Sequence, residues 1–205
     1  FLSRSMSGRS GNRGACSQPC RLAWDLTDGR GRTYIAGKHL LSVRDMNLAQ
    51  RIGDLLDAGV TSFKIEGRLK DTNYIKNVVA YYRRAVDGAL AERPGLVRSS
   101  VGESVPDFTP DPSKSFTRGE SEYFFAGKRP GVASFDTPKA VGEYVGRVAK
   151  VFQNGFTLLG EAELAPGDGI CFITPRGVTG TNVNAAEGRR ITPNRMDGIM
   201  AGAEV

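Results

Sequence analysis

The sequence predicts an α/β fold that gives way, past its middle, to an all-β unit, a class best written α/β plus β. Three observations carry this. Residues 45–87 run helix, strand, helix with loops of a few residues, the rhythm of a parallel sheet covered by helices. Residues 92–140 lose all periodicity and carry Pro94, Pro106, Pro110, Pro112, Pro130 and Pro138. From about Gly142 the pattern becomes short strands separated by turn signals, at the spacing of a small barrel or sandwich.

Each element has its own signature. Residues 1–38 are polar and glycine-rich, with Arg4, Arg9, Arg13, Arg21, Arg30, Arg32 and Lys38 against only Asp25 and Asp28. They read as loop and turn, with a short hairpin around Asp28-Gly29 between 22–26 and 33–35. Leu48, Ile52, Leu55 and Leu56 fall on one stripe, which predicts a helix over 45–58, capped by Asp45 or Ser42 and stopped by Gly59. The run 60–66 is β-branched and aromatic, a short strand ended by Gly67. A second helix follows over about 71–87, with Tyr74, Ile75, Val78, Val79, Tyr82 and Val86 on one side and Gly88 as its stop. The six aromatics scattered between Phe108 and Phe135 predict that parts of the proline-rich arm dock on a neighbouring surface. Strands are predicted at 144–152, 155–159, 169–174 and 178–183, with one or two more after Ile191. Composition thus divides the chain into 1–91, 92–140 and 141–205.

The chain has 205 residues, enough for one large domain or two small ones. No apolar run approaches the roughly 18–20 residues of a membrane span. Three cysteines do not make a secreted disulfide scaffold, which points to the cytoplasm. Lys and Arg number 28 against 22 Asp and Glu, a net charge of +6 that favours a polyanionic partner. The chain begins at Phe1 without an initiator Met or a signal peptide, and is expected to be a piece of something longer.

The sharpest chemical feature is Cys16-Ser17-Gln18-Pro19-Cys20. Two thiols four positions apart in a basic loop, with a proline fixing it, are suited to share a metal or an iron–sulfur cluster, since positive surroundings favour thiolate. Zinc and iron–sulfur sites ordinarily take four ligands, however. Two unrelated thiols, or an adventitious disulfide, is the alternative. Cys171, within Ile170-Cys171-Phe172, reads as a buried small hydrophobe. On the strand 60–66, Phe63 and Ile65 share one face and Lys64 and Glu66 the other. Inside a closed β/α barrel, charges near a strand's C-terminal end lie where active sites sit; the alternative is a structural ion pair. His39, the sole histidine, follows Lys38 in a loop and reads as a surface residue rather than a base. There is no P-loop, no dinucleotide fingerprint and no HExxH. Gly127-Lys128-Arg129 reads as a solvated turn, or a phosphate contact if nucleic acid binds.

Four stretches together resemble peptidase family U32, the collagenase-like proteases: residues 2–12, RGACSQPCR at 13–21, SFKIEGR at 62–68 and FTRGESEYFFAGKRPG at 116–131. The resemblance is specific through 1–90, good through 116–131 and loose over 142–205. It implies that 1–91 is the C-terminal portion of a TIM-like (β/α) barrel, followed by the extended arm and a small β-barrel. It also implies an iron–sulfur cluster held by Cys16, Cys20 and two further cysteines just upstream of the position matching Phe1, so that this chain carries half the ligand set and is expected to be inactive alone. Some members are implicated in hydroxylating bases of tRNA or 23S rRNA with prephenate as the hydroxyl source; others assist ubiquinone hydroxylation. By the resemblance, Lys64, Glu66 and Arg68 line the pocket as the catalytic candidates, Arg68 or Arg13 binds the carboxylates of the acidic small substrate, and Arg21 holds the cluster loop or an RNA phosphate. The β-rich C-terminus suits an RNA-positioning module. Two alternatives stay open: a collagenase-like peptidase, and a non-catalytic module, chiefly 142–205, that binds RNA or another partner.

Overall fold

The computed structural model describes residues 2–67, 70–161, 163–175 and 177–205. In chain order its elements are α1 (Leu2–Ser7), β1 (Trp24–Thr27), β2 (Thr33–Lys38), β3 (Asp45–Met46), α2 (Ile52–Asp57), α3 (Thr72–Ala91), β4 (Glu120–Ser121), β5 (Arg147–Phe152), β6 (Gly155–Leu159), β7 (Gly169–Thr174), β8 (Gly177–Glu187) and β9 (Arg190–Pro193). The chain packs as two units, one of residues 44–132 and one of 1–43 with 133–205. The composition boundaries at 91/92 and 140/141 each fall inside a unit.

In the 44–132 unit, the helix expected over 45–58 is shorter. Asp45 and Met46 instead form β3, paired in parallel with β4. The Asp45 carboxylate receives the Arg118 backbone N–H at 2.8 Å and its guanidinium at 2.6 Å. A long-range ladder and a charge-assisted pair therefore hold Asp45 extended, and α2 starts only at Ile52, which is buried. Helix α3 is longer than expected. Its cap is Asp71, whose carboxylate accepts from the Tyr74 N–H at 2.7 Å, and it passes through Gly88 to Ala91. A single helical glycine costs only about 1 kcal/mol. The proline-rich arm folds back onto this unit largely through polar contacts. Asn77 on α3 donates to the Asp111 carbonyl and to Ser115 Oγ, each at 2.6 Å, and accepts from the Asp111 N–H at 2.7 Å. Arg51 makes a two-pronged pair with Glu122 at 2.9 and 3.1 Å. Of the aromatics, Phe116 lies under Lys70 and Arg118, while Phe108, Phe124 and Phe125 stay exposed.

The strand expected at 60–66 is extended chain without a ladder. Among the described residues no backbone hydrogen bond reaches 61–66, and a strand exists only as a member of a sheet. Its alternation persists only over 63–66, since Val60, Thr61 and Ser62 line in succession the same cleft as Phe63. Phe63 and Ile65 line an open cleft of about 520 Å³ beside Val79, Tyr82, Val86 and Leu90, whereas Lys64 and Glu66 point to solvent.

In the other unit, β5–β9 form one antiparallel sheet in the order β5-β6-β9-β8-β7. It curls until the backbone at Glu204 bridges both of its edges, Arg147 on β5 and Ile173 on β7. The enclosed core is Val148, Phe156, Leu158, Phe172, Val183 and Ile191, with Phe156 and Phe172 edge to face at 5.3 Å. Where the chain crosses itself at the foot of β5, Gly146 has φ +143°, and a Cβ there would run into the Leu159 carbonyl. Hairpin β1–β2, predicted from Asp28-Gly29, belongs to this unit. At its tip the Asp28 carboxylate accepts the N–H groups of Arg30 and Arg32, both at 2.9 Å.

Candidate functional site

The cysteine loop is built from serines. Ser3 and Ser7 lie one turn apart on α1, so their hydroxyls share a face. The buried Ser3 hydroxyl donates to the Arg9 carbonyl at 2.7 Å and accepts from the Ser17 N–H at 2.8 Å; Ser7 Oγ donates to Ser17 Oγ at 2.9 Å. Gln18 then adopts a left-handed conformation, φ +57°, and turns its N–H onto Cys16 Sγ at 3.3 Å. Pro19 is buried and opens the tight turn that carries Cys20; its carbonyl accepts from Trp24 Nε1 at 3.0 Å. Hydrogen bonds thus fix the loop on both sides of the cysteines.

The N–H of Gln18, then the Ser3 hydroxyl, with Arg9 adding positive charge, hold the exposed Cys16 thiol below the ordinary thiol pKa against slight desolvation. Cys20 is half-buried, and both thiols are free. Cys171 differs. It is half-buried, donates to the Val141 carbonyl at 3.3 Å, and burial pushes its thiol up. Two free thiols on one fixed loop, one held toward thiolate by an N–H···S bond, are the donor chemistry of half an iron–sulfur ligand set. Among the described residues no group of three or more His, Cys, Asp or Glu converges to complete it.

The other candidates separate. Arg13 is exposed and, among the described residues, makes no ion pair. Arg21 is half-buried and donates to the Pro138 carbonyl. Lys64 and Glu66, in the 44–132 unit, pair at 3.0 Å with side chains 86% and 74% exposed, a surface ion pair that stabilises little. Arg68 lies outside the described residues. His39 is half-buried, with Nδ1 itself buried and without a partner, and no side-chain hydrogen bond joins His39 to a serine or cysteine among the described residues. Sequence reasoning missed Ser3, Ser7, Ser17 and Trp24 as supports of the loop. The i, i+4 spacing of Ser3 and Ser7 was the available signal.

The chain belongs to peptidase family U32, whose family profile, described as Peptidase family U32, matches residues 1–133. It is 41% identical over 201 residues to the 23S rRNA 5-hydroxycytidine C2501 synthase of Escherichia coli, a match covering 96% of this chain and 31% of the relative. It is 36% identical over 102 residues to tRNA hydroxylation protein P1 of Bacillus subtilis (47% of this chain, 24% of the relative). A Collagenase of Porphyromonas gingivalis is 30% identical over 135 residues (64% and 35%). The chain therefore spans about a third or less of the first two of these curated relatives. No solved structure matches it. No helix among the described residues is long and apolar enough to cross a membrane.

Proposed function

We propose that this chain is the cysteine-loop end of a cytoplasmic U32 enzyme that hydroxylates a base of 23S rRNA. The observation that supports this above the alternatives is the reach of the similarity. The match to the rRNA hydroxycytidine synthase runs across 96% of the chain and so takes in the small β-unit, whereas the tRNA hydroxylation protein and the Collagenase match 47% and 64%. In this reading Cys16 and Cys20 supply two thiolates to an iron–sulfur cluster completed from elsewhere in the protein. Prephenate is the hydroxyl source in this reading. Arg13 and Arg68 are the candidates for the carboxylates of that acidic substrate, Arg21 keeps the loop in place, and Lys64 and Glu66 line the pocket.

The same reading makes 1–91 the last portion of a TIM-like barrel, with 60–66 as one of its strands. The alternation of Phe63 and Ile65 against Lys64 and Glu66, together with backbone along 61–66 that is unpaired among the described residues, supports this. The ladder partners then lie in the rest of the protein.

The test is complementation. The full-length protein is expressed in cells lacking their own 23S rRNA cytidine hydroxylase, and digested rRNA is read by mass spectrometry. A nucleoside heavier by one oxygen, absent with Cys16→Ser, is expected. Unmodified rRNA together with gelatin cleavage by rigorously purified protein would assign the chain to the peptidase alternative.

A further inference from the structure

The hairpin β1–β2 is anchored at its base and free at its tip. Trp24 is held through Pro19, Lys38 pairs with Asp136 at 2.6 Å, and the His39 N–H reaches the Phe135 carbonyl at 2.9 Å. Beyond that base no residue of either strand is buried. Leu26 and Tyr34 are 49% and 56% exposed, an unusual apolar load for a two-stranded ribbon with no sheet beside it. Tyr34 is also oriented. The Arg32 guanidinium lies 4.5 Å from the ring centroid, and Asp28 holds Arg32 at 3.3 Å. Arg30, at the tip, is exposed and makes no ion pair among the described residues.

We infer that this hairpin is a docking element for single-stranded RNA, with Tyr34 stacking a base and Arg30 meeting a backbone phosphate. The inference rests on the RNA reading above and adds the surface that engages the strand. Charge chooses the occupant. Residues 1–38 hold seven Lys or Arg against two Asp, whereas 141–205 hold six against seven Asp or Glu, so the excess that attracts a polyanion lies in the hairpin's segment and not in the β-unit. An arginine-backed, half-exposed tyrosine on a rigid ribbon is the arrangement that binds an unpaired base, and a duplex offers it none.

The test uses the full-length protein and fluorescence anisotropy with a short mixed-sequence single-stranded RNA, its duplex, and heparin as a polyanion without bases. Tyr34→Ala is expected to weaken single-stranded RNA binding roughly 5- to 100-fold, while Tyr34→Phe binds as wild type and heparin binding is unchanged. Arg30→Gln is expected to lower the slope of log K against log salt by about 0.7. Unchanged melting temperatures show that the variants remain folded. If wild type binds the strand and both Tyr34→Ala and Arg30→Gln bind it equally well, the hairpin is the wrong surface and the RNA reading survives. Equal loss of heparin and RNA binding in Tyr34→Ala overturns base stacking. A wild type that binds no RNA sinks both readings.

Discussion

The β-unit and the cysteine segment are held together by opposite means. In β5–β9, Phe156, Phe172, Val148 and Ile191 are at most 1% exposed, and the sheet curls around them until Glu204 bridges its edges. In residues 2–38 only Ser3 and Pro19 are buried, and order comes from hydroxyls, backbone N–H groups and one indole. The first region spends its side chains on its own interior. The second leaves its thiols, arginines and Tyr34 facing outward, as a region does when its partners lie outside it.

Substitutions that strike each kind of cement sharpen this contrast. Phe156→Ala should show the largest effect, a loss of about 3–5 kcal/mol in denaturant unfolding. Less than about 1 kcal/mol would mean that the core is not what holds the β-unit. Next comes Asn77→Ala in the 44–132 unit, which removes three of the hydrogen bonds that tie the arm to α3 and should cost about 1–3 kcal/mol. Limited proteolysis near 108–115 should quicken with it; an unaltered cleavage pattern would show that the arm is held otherwise.

Ser3→Ala should barely move global stability yet raise the pH at which Cys16 becomes reactive, because it removes the hydroxyl that helps hold the thiol down and the tie to Ser17. Iodoacetamide rates across pH read this directly. In the wild-type chain Cys16 should react well before Cys171, whose thiol burial pushes the other way. The smallest effect belongs to Asp28, whose carboxyl the Arg32 N–H holds below its usual value. Its stabilisation of the hairpin tip is complete above the ordinary carboxylate pKa of about 3.9 and is lost as pH falls through the lower folded value. Amide shifts of Arg30 and Arg32 should therefore move only below that ordinary value.

The same contrast governs what the sequence made legible. Strands 155–159 and 169–174 were readable to the residue, because alternation and glycine turns are local signals. Hairpin β1–β2 was readable from Asp28-Gly29 for the same reason. The start of α2 was not, since Asp45 is claimed by Arg118 and β4, partners distant in the chain. The cysteines were legible as chemistry, but their supports were not. A serine can cap, turn or tie, and only the fold shows that Ser3 ties Ser17. Lys64 and Glu66 were placed on one side of 60–66 by alternation alone, and both face solvent there, although among the described residues no ladder partner reaches the segment.

In the proposed function Cys16 and Cys20 act together as thiolate ligands. Anaerobic reconstitution of the full-length protein with iron and sulfide, followed by its visible absorbance, tests this most directly. A broad iron–sulfur band is predicted in the wild type, lost in Cys16→Ser and in Cys20→Ser, retained in Cys171→Ser, with melting temperature preserved in all three. A colourless wild type, or a band that survives both loop substitutions, would contradict it.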